Sequence, residues 1–506
     1  MSRAIPPRPA DDSLRALGSW LHYCVLAAIV AIGSYLRLTM LGEQSLWFDE
    51  ADIVVRAQRS WSDVLSTFTV QGENGPLYNA LLAAWVRIAG ISEVAVRFPS
   101  AVAGVLALPA IYLLAKRLAG SQAGLIAAGL LAISPYHIWY SQEAKMYSII
   151  VLLAILSTLL LVEALTTARR PYWVAYVVVT TLMFYTHVVT VLIFGVQVLF
   201  VLATYRRWKS QSRALVIVGA ALTLPYLPIA LWALQVVGGE VTTWHSDTSL
   251  IGALKGIAIR FATFRSDPEI EFRAAWLYFL AAAGAAAWLV FDRRRRPVGL
   301  LLIGLAAAPV IGLWIVSLRN SVFSDRYTIG ALPAYLTLIA VGLAYLGRSR
   351  LGVVPAVLIA TTLVSYTWVP VSNVNRSDIA QKEDWRGAYE RVAERAQPDE
   401  VFLMHPGYMI STLAYYGQRN DRLGGHPVGT IPSFAPDWMT REVMVDMLRD
   451  EFGRFTRFWL IESPDRVPFE DPNQELSTWL GETGEILYQD QVNGVRVTLY
   501  ELPPGW

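Results

Sequence analysis

The chain has 506 residues, of which 55% are hydrophobic and 16% charged, and its mean hydropathy is +0.42. That is more apolar than a soluble chain of this length, and it defines an integral membrane protein. The formal net charge of +2 says little and no nucleic-acid partner is expected, while the single cysteine, Cys24, excludes an intramolecular disulfide.

Residues 1–19 are polar and carry Pro and Arg, as expected of a cytoplasmic tail. The apolar run at 20–41 is long enough to span and lacks a small-residue cleavage site, so it reads as a signal anchor. A first loop at 42–93 follows, with "WFDEAD" and "QGENGPLYNALLAAW". Its apolar stretch at 76–90 is short. Counting it as a span would carry Lys116-Arg117 to the opposite side, so it is expected to lie on the outer leaflet as an amphipathic helix. Further spans are expected at 94–118, 121–138, 146–167, 213–237, 273–291, 297–318, 327–347 and 350–370. The region 172–205 is twice the length one helix needs and divides at "YTHVV" into two short spans. The fold expected is therefore a polytopic α-helical bundle of about eleven transmembrane helices.

Basic clusters set the orientation. "SRAIPPR", Lys116-Arg117, Arg169-Arg170, "RRWK" at 206–209, "RRRR" at 293–296 and Arg348 with Arg350 all fall on one side in this count, which places the N-terminus in the cytoplasm. The C-terminus then lies outside, together with 42–93, 139–146, the turn at His187, 238–272 and 319–327. From 371 the charge density rises. The β-type runs "EVFLM", "RFWLI" and "RVTLYEL" alternate with helix-type segments such as "WRGAYERVAERA", so residues 371–506 are expected to form a small extracytoplasmic α/β domain behind a transmembrane domain at 20–370. There is no internal repeat, Gly-rich phosphate loop or metal-type Cys/His spacing, which leaves nucleotide hydrolysis and a structural zinc site without support.

Charges beside a bilayer are costly and need a reason. Asp49 and Glu50 sit just beyond the first span, with Asp52 two residues on. The plain reading is an interfacial acidic turn capping a helix over "EADIVVRAQRSW". The functional one is a general base that accepts a hydroxyl proton as the hydroxyl attacks an activated carbon. Such a base needs a cation for the leaving group. Lys145 in "SQEAKMYS", Arg326 in "SDRYT" and Arg97 in "VRFPSA" lie on the same side. Each taken alone could be a snorkelling residue. Together they suit a phosphate at the membrane surface, where a cation stabilises the charge that develops on departure. His187 is weaker, because a lone His between helices is more often a packing residue.

The order of "LWFDEA", "GPLYNALLAAWVRIAGISEVAVRFPSAVAG", "LAISPYHIWYSQEAKMYSI", "FYTHVVTVLIFGVQ", "DRYTIGALPAYLTL" and "KEDWRGAYERV" resembles the GT-C superfamily of membrane glycosyltransferases, and within it the prokaryotic protein-mannosyltransferase and aminoarabinose-transferase-like branch. The resemblance implies an inverting transfer of a hexosyl or pentosyl unit from a polyprenyl-phosphate sugar to a hydroxyl-bearing acceptor, protein, lipid or glycan, on the extracytoplasmic face of the cell (inner) membrane. It implies Asp49 as the base or acceptor-orienting carboxylate with Glu50 as its neighbour in the catalytic acidic pair, Lys145, Arg326 and Arg97 at the donor phosphate, and Glu73, Asn74, Tyr78, Tyr147, His187, Tyr327, Trp385 and Arg386 around the substrates. Trp385 in "EDWR" would offer a face to a sugar, an interfacial belt tryptophan being the blander option.

The sequence departs from the family at two points. "ENGPLY" puts Glu73 and Asn74 where a basic or imidazole side chain precedes Pro-Pro-Leu-Tyr, and Lys145 stands where Arg is more usual, which makes a less bidentate phosphate contact. No cofactor is required by this reading; a divalent metal stays open, since Asp49, Glu50, Glu73 and His187 would have to converge to hold one. A polytopic transporter or lipid flippase is the alternative from another class, but it favours charges near the midplane and repeated halves.

Overall fold

The computed structural model describes residues 9–69, 75–224, 227, 248–264, 266–374, 382–431 and 439–506. The chain forms two compact units. One comprises Met1–Thr39, Ser66–Tyr78 and Arg97–Asn375, and the other Met40–Leu65, Asn79–Val96 and Arg376–Trp506.

The first unit is helical. Among the described residues seven helices are long and apolar enough to cross a membrane: Trp20–Leu38, Glu93–Ala119, Tyr147–Thr167, Pro268–Phe291, Arg296–Ser317, Asp325–Leu346 and Arg350–Asn373. Two bent pairs raise the number to nine, Ser121–Ala132 with Pro135–Ser141 at 63° and Val188–Ala203 with Tyr205–Thr223 at 77°. The protein is an integral membrane protein. The difference from about eleven spans has local causes. Arg170–Thr186 is a helix of only 17 residues, and the expected span at 213–237 begins as the helix Ser212–Thr223, with most of its remainder outside the described residues.

The expected straight span at 121–138 is instead a broken pair. Ser134 precedes Pro135, and a residue before proline is pushed out of the helical region. Ser134 takes an extended conformation and its hydroxyl accepts the His137 amide, so a second helix starts at the break. The carbonyls left open at the end of the first helix meet a cation. Arg37, fully buried, donates from Nη1 to Ala132 O at 2.9 Å and from Nη2 to Leu131 O at 2.7 Å, with His137 Nδ1 2.8 Å from Nη2. Gly104 lets the second helix approach, since a Cβ there would collide with Ser141. The division at "YTHVV" is as expected: the helix ends at Thr186, His187 turns extended, and Thr190 Oγ1 closes the bend on Met183 O at 3.0 Å. A helix that hydropathy alone did not indicate, Leu250–Ala262, lies within the expected loop at 238–272, capped by Ser249 on the Gly252 amide. Leu153, Leu161, Phe184, Ile193, Leu301 and Leu338 are among the apolar side chains packed at the centre of the unit.

The second unit holds a five-stranded sheet of β1 (Glu400–His405), β2 (Val428–Thr430), β3 (Arg457–Glu462), β4 (Glu485–Val492) and β5 (Val495–Glu501), in the order β2-β1-β3-β5-β4. β1 runs parallel to β2 and β3, and β5 runs antiparallel to β3 and β4. "EVFLM", "RFWLI" and "RVTLYEL" thus supply three neighbouring strands. All six residues of β1 are buried, as for a strand covered on both faces. The expected helix over "WRGAYERVAERA" is Trp385–Arg395, its first turn capped by Asp384 on the Gly387 amide at 3.0 Å. Val401, Leu403, Leu448, Phe458, Leu476 and Trp479 form the core on one side of the sheet. The same unit takes in the first-loop helix Phe48–Ala57 and all but the last residue of the helix Trp61–Ser66.

Candidate active site

The acid pair lies in the first turn of the helix Phe48–Ala57. The capping alternative is corrected by the structure: the N-cap is Trp47, extended, and no side chain caps the helix. The helix dipole favours negative charge at this end, and the two carboxylates use it differently. Asp49 is half-buried. Glu50 is fully buried, and its Oε2 lies 2.9 Å from Lys382 Nζ, itself almost inaccessible. Asp52, on the next turn, accepts from Ser411 Oγ at 3.0 Å and pairs with Arg56 at 2.9 Å.

The segment leading into this helix is held by the α/β unit. Tyr416 OH accepts the Leu46 amide at 2.8 Å and lies 3.0 Å from Ser45 Oγ. Arg386 donates to Gly42 O at 3.1 Å and Glu43 O at 2.6 Å, and its own amide to Ser45 Oγ. The expected substrate contact Arg386 is therefore occupied as a tie on the first loop. Trp385 differs from expectation more plainly. Its indole is fully buried and donates to Glu383 Oε2 at 3.0 Å, so it has no face to offer a sugar in this conformation; the small apolar and aromatic positions of its helix bury it against Tyr389. Glu383 Oε1 takes hydrogen bonds from Ser463 Oγ and Arg466 Nε. Burial pulls the Arg466 guanidinium down, but Glu383 and Tyr408 outweigh it and hold it above the ordinary arginine value. Tyr408 in turn packs edge-on to Phe48, beside Asp49 in sequence.

In the spanning unit the structure gathers other expected residues. Tyr78 is buried with its hydroxyl 3.2 Å from Ser100 Oγ, which donates to the Lys145 carbonyl at 2.8 Å. Tyr147 is buried and edge-on to Tyr140 at 4.8 Å. Lys145 is half-buried, in the turn that leads into Tyr147–Thr167. Arg97 is 1% exposed, too deep to be a snorkelling side chain. The His187 and Tyr327 rings lie 5.0 Å apart, and half-buried Arg326 is 5.6 Å from the Tyr327 ring centroid. His187 Nδ1 accepts the Val189 amide at 3.2 Å, while its buried Nε2 has no hydrogen-bond partner among the described residues.

Glu73 and Asn74 lie outside the described residues. Asp49 and Glu50 belong to one unit and His187 to the other. Among the described residues no group of three or more His, Cys, Asp or Glu is placed to hold a metal ion. Sequence reasoning missed Lys382, Tyr416 and Arg466. The first directly precedes "EDWR" and was legible as a basic residue beside that motif; the other two carry no local signal, because their partners are hundreds of positions away or in a loop without pattern.

The fold is similar to those of several solved proteins. ArnT from Cupriavidus metallidurans in the apo state superposes with a TM-score of 0.62 at 14% identity, covering 96% of this chain and 98% of ArnT. The same protein bound to undecaprenyl phosphate gives 0.56 at 13% identity, over 95% and 97%. The oligosaccharyltransferase AglB from Archaeoglobus fulgidus, in complex with an inhibitory peptide and a dolichol-phosphate, gives 0.57 at 12% identity over 95% of this chain and 74% of AglB. Residues 73–232 match the family described as dolichyl-phosphate-mannose-protein mannosyltransferase. A comparison with curated protein sequences returned no match.

Proposed function

We propose that the protein is an inverting glycosyltransferase that moves a sugar from a polyprenyl-phosphate donor to a hydroxyl-bearing acceptor on the extracytoplasmic face of the membrane. One observation carries the reading: a GT-C fold along nearly the whole chain, with an adjacent pair of carboxylates at the start of the first-loop helix, one pinned by a lysine and the other not buried with it. The bound species of the similar structures, undecaprenyl phosphate with ArnT and a dolichol-phosphate with AglB, support the donor class.

In this reaction the acceptor oxygen forms a bond to the anomeric carbon from the face opposite the phosphate. Asp49 takes the hydroxyl proton as the bond forms. The bond from the anomeric carbon to the phosphate oxygen breaks, its electron pair stays on that oxygen, and polyprenyl phosphate leaves. Inversion follows from the single displacement. Arg326, Lys145 and Arg97 are the proposed phosphate contacts, since a fixed cation stabilises the charge growing on the leaving group without reorganisation. Tyr78, Tyr147, Tyr327 and His187 are proposed to line the donor, His187 through its open Nε2. The N-terminus would lie in the cytoplasm, as the basic clusters require.

The test is to incubate the purified protein with undecaprenyl-phosphate and dolichyl-phosphate sugars in turn and to follow release of the free lipid phosphate by mass spectrometry. Release that depends on added acceptor and is lost in Asp49→Asn supports the proposal. Absence of release with every donor, from protein whose fold is intact, overturns it.

A further inference from the structure

The buried Glu50–Lys382 pair joins the first-loop helix to the segment entering the α/β fold with both partners essentially sealed from solvent, at 0% and 6% exposure. Taking two charges out of water is costly, and the cost is offset only where geometry is fixed and the remaining hydrogen-bonding capacity is used. The geometry around Lys382 is fixed. Its carbonyl accepts from the Asn493 side chain in the β4–β5 turn, and two residues on the Asp384 amide donates to Asn493 O at 2.9 Å. Gly494 makes that turn in the left-handed region, φ +77°, packed against Glu383. Asp384 then caps the helix Trp385–Arg395. The lysine is therefore presented from a hairpin and a helix cap, and its ammonium meets a carboxylate one residue from Asp49.

Other contacts hold the remainder of the strap. Tyr416 fixes Leu46, Arg386 fixes Gly42 and Glu43, and Ser411 fixes Asp52. These bonds lie on either side of the acid pair, and Lys382 reaches Glu50 itself. Glu50 sits on the first turn of the helix, so its side chain and that of Asp49 point about 100° apart around the axis. Pinning Glu50 inward sets the direction in which Asp49 projects.

We infer that Lys382 is a positioning residue for the acidic pair: by holding Glu50 inside the α/β unit it orients the turn that carries Asp49. The inference rests on the reading of Asp49 as the base. It makes the α/β unit part of the catalytic apparatus, beyond any service as an entrance for the acceptor. Glu50, so held, does not touch substrate, and its contribution passes through its neighbour.

The experiment compares wild type, Lys382→Met, Lys382→Arg, the double variant Glu50→Gln with Lys382→Met, and Asp49→Asn, each as full-length purified protein. Two quantities are read: melting temperature, and kcat with the donor KM for whichever undecaprenyl-phosphate or dolichyl-phosphate sugar the wild type turns over. Lys382→Met is expected to lower kcat about 100-fold, as a displaced catalytic group does, with donor KM nearly unchanged. Lys382→Arg, which keeps the charge, should recover kcat to within about tenfold of wild type. The double variant removes both buried charges, so it should regain melting temperature over Lys382→Met while kcat stays low. If the double variant regains kcat along with stability, the pair is structural only and the inference falls. Lys382→Met at wild-type kcat beside an inactive Asp49→Asn also overturns it, leaving the base in place. Wild-type turnover by Asp49→Asn removes the base itself, and the inference with it. Should Lys382→Met fail to fold, the double variant and the arginine variant carry the comparison alone.

Discussion

The two units stabilise buried polar groups by different means. In the spanning unit the polar side chains are tied to carbonyls, hydroxyls and amides: Arg37 to Leu131 and Ala132, Gln197 to Tyr176 and Ser157, Thr190 to Met183. In the α/β unit the carboxylates are tied to cations: Glu50 to Lys382, Glu93 to Arg419, Glu383 to Arg466, Glu462 to Arg496. Where lipid surrounds a helix bundle, a spare carbonyl at a helix break is the cheapest partner for a donor, and it carries no net charge to desolvate. Where the surroundings are water, a charge pair can be formed at an edge and closed over. The acid pair thus lies in the unit whose buried carboxylates meet cations, whereas the proposed phosphate contacts Arg326, Lys145 and Arg97 lie in the other unit.

Two substitutions test that division on activity. Asp49→Asn removes the proposed base and should lower kcat by about 10²–10⁴-fold without lowering the melting temperature; turnover near wild type in a donor-release assay would assign the proton transfer elsewhere. Arg326→Gln and Lys145→Gln remove a cation from the spanning unit. Each should raise the donor KM about tenfold to a hundredfold. A KM that does not change, measured by titrating the polyprenyl-phosphate donor, would leave those residues as helix-end charges.

Stability separates the units as well. Tyr416 OH holds the Leu46 amide and faces Ser45 inside the α/β unit, so Tyr416→Phe leaves a buried amide open and should cost about 1–3 kcal/mol. Because the ring itself stays, packing is little altered. A denaturation midpoint equal to wild type would show that water or another group replaces the phenol.

How far the sequence disclosed this arrangement depends on the range of the interaction. The spans at 94–118, 146–167, 273–291, 297–318 and 327–347 follow from hydropathy, because each helix meets lipid by itself. The division at His187 was visible as a polar pair within an apolar run. The break at Ser134-Pro135 was also written locally, yet uniform hydropathy masked it, and the pair reads as one span until the proline is given its weight. Strands β1, β3 and β5 were legible as short apolar runs; the short β2 was not, and the alternation of β4 is mostly polar. In the site, residue types were legible and pairings were not. Asp49 and Glu50 look equivalent in "WFDEAD", and only a lysine more than three hundred residues away tells them apart. Trp385 carries the signature of a sugar-facing aromatic, but the spacing of Ala388, Tyr389 and Val392 puts it on the buried side of its helix.

The smallest effect concerns a carboxylate remote from the acid pair. Asp471 accepts the Glu475 and Leu476 amides at 2.9 and 3.2 Å, and His405 Nε2 lies 3.3 Å from its Oδ2. Burial pushes its pKa up, but the nearby His405 imidazole and the hydrogen bonds from the two amides win and hold it below the ordinary aspartate value. A carboxylate with a depressed folded-state pKa adds stability that is fully present above the unfolded value of about 3.9, and that stability is lost as pH falls through the folded value. The melting temperature of the full protein should therefore fall on acidification below about pH 4, more steeply in wild type than in Asp471→Asn. At neutral pH the same variant should cost about 1 kcal/mol, the worth of a helix-start carboxylate. Parallel acid profiles for the two proteins would remove Asp471 from the groups that make the α/β unit pH-sensitive.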